Sequence, residues 1–142
     1  MTLTSRIALM ILPLALTGWL QGQVSMRAGL WENTVTASGQ TVTRNACITP
    51  EQEQRSKGTA DSMRESIEKA LAKNGACTLK EFTVVGATRT EVMVCGKTTI
   101  KNSTTFHADS FETIGTATTA EGVKSSLMKG RRVGDCPAGG AK

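Results

Sequence analysis

The sequence predicts an α+β, mostly β fold: an antiparallel meander of about seven strands, with one or two helices inserted after the second strand and two disulfides. Three observations carry that expectation. Runs dense in Thr and Val recur between turn residues at a spacing of about 8–12 residues. Two intervening segments carry helix caps instead, and one of them an apolar stripe at helical spacing. Four cysteines, Cys47, Cys77, Cys95 and Cys136, stand far apart along the chain.

The first two β-rich runs, RAGLWENTVTAS and GQTVTRNACIT, meet at Ser38-Gly39, a hairpin signal. In Thr49-Pro50-Glu51-Gln52, Thr49 can cap, Pro50 suits the first helical position and Gln52 can reach back as the capping-box partner, so a short helix starts here and stops near Gly58. A longer helix follows in TADSMRESIEKALAKNG. Asp61 or Ser62 caps it, Met63, Ile67, Ala70 and Leu71 form its apolar stripe, and Asn74-Gly75 supplies a left-handed stop. The remaining strands are CTLKEFTVV, TRTEVMVCG, TTIKNSTTFHA, SFETIGTATT and GVKSSLMKGRR, with turns at Gly86, Gly96, Asp109-Ser110 and Glu121-Gly122. Leu127 and Met128 break the alternation, which calls for two partly covered faces or a bulge.

Residues 1–23 have the layout of a secretory signal peptide: Arg6, then an uncharged stretch with its apolar core at Ile7–Leu16. That core is too short for the ~20 apolar residues of a membrane span. Trp19 stands where a lipoprotein signal would need its cysteine. Residues 24–142 are therefore expected to form a single disulfide-stapled, β-rich domain, soluble, exported and without lipid anchor or transmembrane segment. Four cysteines allow several pairings. Cys77–Cys95 with Cys47–Cys136 is preferred, because Cys77 starts and Cys95 ends two β-rich runs that fold back around Gly86. In the chain-entropy picture each loop would stabilise the domain by roughly 3–5 kcal/mol. The cysteines lack the close pairs that zinc sites use, and no metal or cofactor is expected.

The charge balance excludes other classes. With Arg6 set aside, the formal net charge of +5 falls to about +4 with both signs mixed, and no basic run suggests a nucleic-acid partner. Aromatics are too few for a base-stacking platform. His107 is the only histidine. On an extended segment it shares a face with Asp109 while Ser110 points away, so the three cannot form a local triad. Glu32, Glu81, Glu91, Asp109 and Glu112 lie on separate runs with no spacing that pairs them.

The residues that remain as candidates are Trp31, Glu32, Arg131 and Arg132. Trp31 reads first as a core aromatic and second as a ligand-stacking ring. Arg131 and Arg132 point to opposite faces if their strand continues through them, one pairing with Glu32 or loop carbonyls and the other staying in solvent. If Gly130 breaks the strand, both guanidiniums converge on a carboxylate or phosphate instead.

Three segments in order, Arg27-Ala28-Gly29-Leu30-Trp31-Glu32, Cys47-Ile48-Thr49-Pro50-Glu51 and Gly130-Arg131-Arg132-Val133-Gly134-Asp135-Cys136, resemble the bacterial exported proteins of domain-of-unknown-function family 3617. The resemblance covers essentially the whole exported part. It implies a Gram-negative envelope protein, in the periplasm, and no particular activity. The expected function is a non-catalytic binding or interaction module meeting an envelope protein or an amphipathic or anionic small ligand. The alternative is an envelope hydrolase whose carboxylates are brought together by the fold. An apolar groove between helix and sheet would favour the first, and two carboxylates facing each other in a cleft the second.

Overall fold

The computed structural model describes residues 25–138. The signal peptide expected over residues 1–23 lies outside them. Seven strands and two helices follow in the order β1 (Gly29–Ala37), β2 (Gln40–Ile48), α1 (Pro50–Ser56), α2 (Ala60–Asn74), β3 (Cys77–Val85), β4 (Thr88–Cys95), β5 (Thr98–Phe106), β6 (Ser110–Thr119) and β7 (Gly122–Gly134). The strands form one sheet in the spatial order β2-β1-β7-β6-β5-β4-β3. All neighbours are antiparallel. The helices thus carry the chain from one edge strand to the other, and the meander β3–β7 returns until β7 closes against β1.

Local chemistry accounts for the joints. Ser38 and Gly39 sit at φ 51° and 75°, the pair of positive values that a two-residue type I′ hairpin loop requires. The Thr49 hydroxyl accepts from the Gln52 N–H at 3.3 Å, and the Gln52 side chain accepts from the Thr49 N–H at 2.7 Å, completing the capping box of α1. The longer helix starts earlier than the cap candidates Asp61 and Ser62 suggest. Thr59, not Asp61 or Ser62, is the N-cap and accepts from the Ser62 N–H at 3.2 Å. Gly75, at φ 63°, ends that helix in the left-handed conformation.

The sheet has two unlike faces. On the inner face lie Trp31, Leu79, Phe82, Phe106 and Phe111, which with Met63 of α2 form the buried core. Each contributes on the order of 2 kcal/mol of apolar burial. Ile67 and Leu71 extend the stripe of α2 onto this cluster, whereas Ala70 is exposed. Trp31 and Phe111 pack with ring centroids 5.9 Å apart, and Phe106 and Phe111 at 6.3 Å. The outer face is a threonine surface: Thr34 and Thr43 hydroxyls meet at 3.1 Å, Thr36 and Thr41 at 3.0 Å, and Thr88 and Thr105 at 3.1 Å. A sheet roofed on one side only explains the Thr/apolar alternation.

Leu127 and Met128 need no bulge. Both are partly buried, one on each face. The register irregularities lie elsewhere, between Leu30 and Trp31 and between Leu79 and Glu81.

Cys77 and Cys95 face each other across β3 and β4, and Cys47 at the end of β2 is bonded to Cys136, just past β7. One bond staples an edge strand to its neighbour. The other ties β2 across β1 to the chain's last described residues.

Candidate functional site

β7 does not break at Gly130; it continues through both arginines to Gly134. Register then decides their roles. Arg132 lies opposite Trp31, on the inner face, and Arg131 opposite Glu32, on the outer one. The Arg131 guanidinium bonds Glu32 at 2.9 Å. Arg132 Nε donates to the Ala28 carbonyl at 2.8 Å, and its Nη2 donates to Asp135 at 2.6 Å. The two guanidiniums therefore do not converge on one anion, and each has a partner within the chain. Trp31 has no exposed surface, and its indole N–H donates to the Arg27 carbonyl at 2.8 Å. Its ring is part of the core and has no face open to a stacking ligand.

Glu32 and Arg131 border a recess of about 380 Å³ on the outer face, together with His107, Ser110, Glu112 and Lys129. This is where carboxylates come nearest to a cleft. Each is already matched with a cation on the neighbouring strand, Glu32 with Arg131 and Glu112 with Lys129 at 3.1 Å. Asp109 is also engaged: Arg27 donates to its carboxylate at 2.9 Å. His107, in the β5–β6 turn, donates its backbone N–H to the carbonyl of Ser110, the first residue of β6, at 2.8 Å. No histidine–carboxylate–hydroxyl relay is assembled among these described residues.

A second depression lies on the inner face, under the helices. It consists of two adjoining hollows of about 160 and 230 Å³ that share Gln52, Ser56 and Arg89. Each is below the ~300 Å³ at which ordinary small-molecule pockets begin, and the two adjoin at the residues they share. Met26, Ile48 and Phe106 wall the first hollow, Met63 and Ile67 the second. Arg89 lies at their junction, with its guanidinium carbon 5.5 Å from the centroid of the Phe106 ring. Its nearest carboxylate is Glu91, at 3.7 Å from Nε, a separation too long for a hydrogen bond. Asn102 donates to that same Glu91 at 3.4 Å.

Sequence reasoning passed over Arg89. In TRTEVMVCG the valines mark one face as apolar, which makes Arg89, Glu91 and Met93 look like the solvent side. The pairing of Arg89 with Val84 and Thr104 instead turns this set toward the helices. Alternation gives two faces but does not say which one the helices cover.

Among the described residues no helix is long and apolar enough to cross a membrane, and no cluster of His, Cys, Asp and Glu could hold a metal ion. The arrangement defines a class: a disulfide-stapled antiparallel sheet with one face half-roofed by two helices and an amphipathic trench beneath the roof. The chain belongs to the family described as Protein of unknown function (DUF3617), which it matches over residues 26–136. Comparison with curated proteins and with solved structures gave no match.

Proposed function

We propose that the protein is an exported periplasmic binding module without catalytic activity, which holds a small amphipathic ligand between its helix pair and the inner face of the sheet. The observation that carries this reading is the composition of the trench: five apolar side chains around the largely buried guanidinium of Arg89, with the exposed Arg55 beside the second hollow. Such a lining orients a ligand with one charged end and one apolar end, and its two hydroxyls, Ser56 and Ser66, have no histidine among the lining residues to activate them. Two disulfides fit an oxidising compartment. The hydrolase alternative is weaker, since the outer carboxylates are each matched with a neighbouring cation.

Native mass spectrometry of protein recovered from the periplasm without refolding tests the proposal. A small-molecule adduct that leaves on denaturation is the expected result. A bare mass, together with no uptake of added amphiphiles, overturns it and turns attention to a protein partner.

A further inference from the structure

Most arginines of this chain that are tied into the fold donate to an oxygen: Arg27 to Asp109, Arg64 to Glu68, Arg131 to Glu32, Arg132 to Ala28 and Asp135. Arg89 is the contrast. Its side chain is only 28% exposed, less than those of Arg27, Arg64 and Arg131, yet among the described residues it donates no hydrogen bond, and its Nε is buried without a partner. A guanidinium largely withdrawn from water, with one N–H buried and unsatisfied and no hydrogen bond from the others, is costly to keep, and it is attracted to an acceptor that fits it.

We propose that Arg89 is the headgroup-recognition residue of the trench, and that its ligand is a single-tailed amphiphile ending in a carboxylate; this rests on the binding-module reading above. The planar fork of N–H groups matches the two oxygens of a carboxylate. Glu91, 3.7 Å away, offsets part of the Arg89 charge, and Arg55, which also lines the second hollow, is exposed to solvent, so the buried end of the site suits a single negative charge better than a phosphate dianion. Gln52 lines both hollows beside Arg89, and its side-chain NH2 can add a donor to the same head, while the Ser56 hydroxyl is committed to the Glu53 carbonyl at 2.7 Å. The tail then lies along Met63 and Ile67, where α2 packs over the sheet.

The test is titration of natively purified protein with decanoate, with methyl decanoate, with decyl phosphate and with an acetylated peptide ending in leucine. Decanoate should bind at least tenfold more tightly than the ester or the phosphate, and Arg89→Gln should erase that preference. Arg89→Lys, which keeps the charge and loses the fork, should recover only part of it. Ser66→Trp, at an exposed position of α2 that lines the trench, should block decanoate without touching Arg89 and guards against misreading a folding defect. Equal binding of decanoate and its ester, unaffected by Arg89→Gln, overturns the role of Arg89 while leaving the binding module standing. Preference for decyl phosphate or for the peptide overturns the ligand class. No binding by any probe, with a bare native mass, overturns both readings.

Discussion

Arg132 and Glu53 grip the same residue from opposite sides. Arg132 Nε donates to the Ala28 carbonyl at 2.8 Å, and Glu53 Oε2 accepts from the Ala28 N–H at 2.7 Å. One residue thereby joins β7 to α1. Next to it, the Arg27 carbonyl receives the Trp31 indole and the Arg27 side chain reaches Asp109. The segment ahead of β1 is strapped down by four side chains, and this places Met26 in the wall of the trench.

The two neighbouring arginines should differ sharply in their stability effects. Arg132→Ala leaves the Ala28 carbonyl without its charged donor and should cost about 1–3 kcal/mol in urea unfolding. Arg131→Ala removes a pair whose arginine side chain is 69% exposed and should cost less than about 1 kcal/mol. Equal effects would contradict the assignment of Arg132 as the structural member.

Glu53 gives the strap a pH dependence. Its contacts, first the hydrogen-bonded Lys57 and then the Ala28 N–H, hold its carboxyl below the ordinary value of 4.5. Folding therefore favours the ionised form. The stabilisation is present in full above the unfolded value of 4.5 and is lost as pH falls through the lower folded value. Denaturant unfolding of wild type and Glu53→Gln between neutral and acid pH should converge at the acid end. A gap between the two that stays constant across the range would rule this out.

Gly130 is a packing requirement. A Cβ there would overlap the ring of Phe111, which lies directly across from it on β6. Gly130→Ala should destabilise by about 1–3 kcal/mol, as overpacked cores do. Pairing it with Phe111→Leu should recover part of that loss, and thermal unfolding of the four combinations reads out the coupling.

The disulfides should contribute unequally. Cys47–Cys136 closes a separation of 89 residues and Cys77–Cys95 one of 18. In the chain-entropy picture, replacing the first pair by alanine costs about 4.5 kcal/mol and the second about 3 kcal/mol. Chemical denaturation of the two double variants measures both.

Much of the fold was legible because local signals agreed with one another. Thr49-Pro50 with Gln52, Ser38-Gly39 and Asn74-Gly75 each act within a few residues, where cap and turn chemistry leaves little freedom. Seven β-rich runs in series imply a meander, and Gly86 brings Cys77 to Cys95. Thr59 was hidden as a cap because Asp61 and Ser62 offer the same chemistry two and three residues later. The site was much less legible. Arg89 looks like a surface charge until register sets it beside Thr104, which is buried, and that neighbour lies on a different strand. A loop carbonyl was an expected partner for one of the two arginines, but which carbonyl was hidden, since Ala28 is 104 residues from Arg132 and binds through its backbone, which leaves no mark on residue type.

The strand order also sets a schedule for oxidation. A chain that emerges N-terminus first presents β1 and Cys47 long before β7 and Cys136 exist, so Cys47 must remain reduced, or be re-released, while two other thiols pass by. The β3–β4 hairpin limits that hazard. It holds Cys77 against Cys95 across a single tight turn, and local pairing of this kind closes in microseconds, far ahead of thiol exchange. With those two thiols consumed by each other, the partner left for Cys47 is Cys136, and the final cross-link certifies that β2 and the segment past β7 have come together on either side of β1.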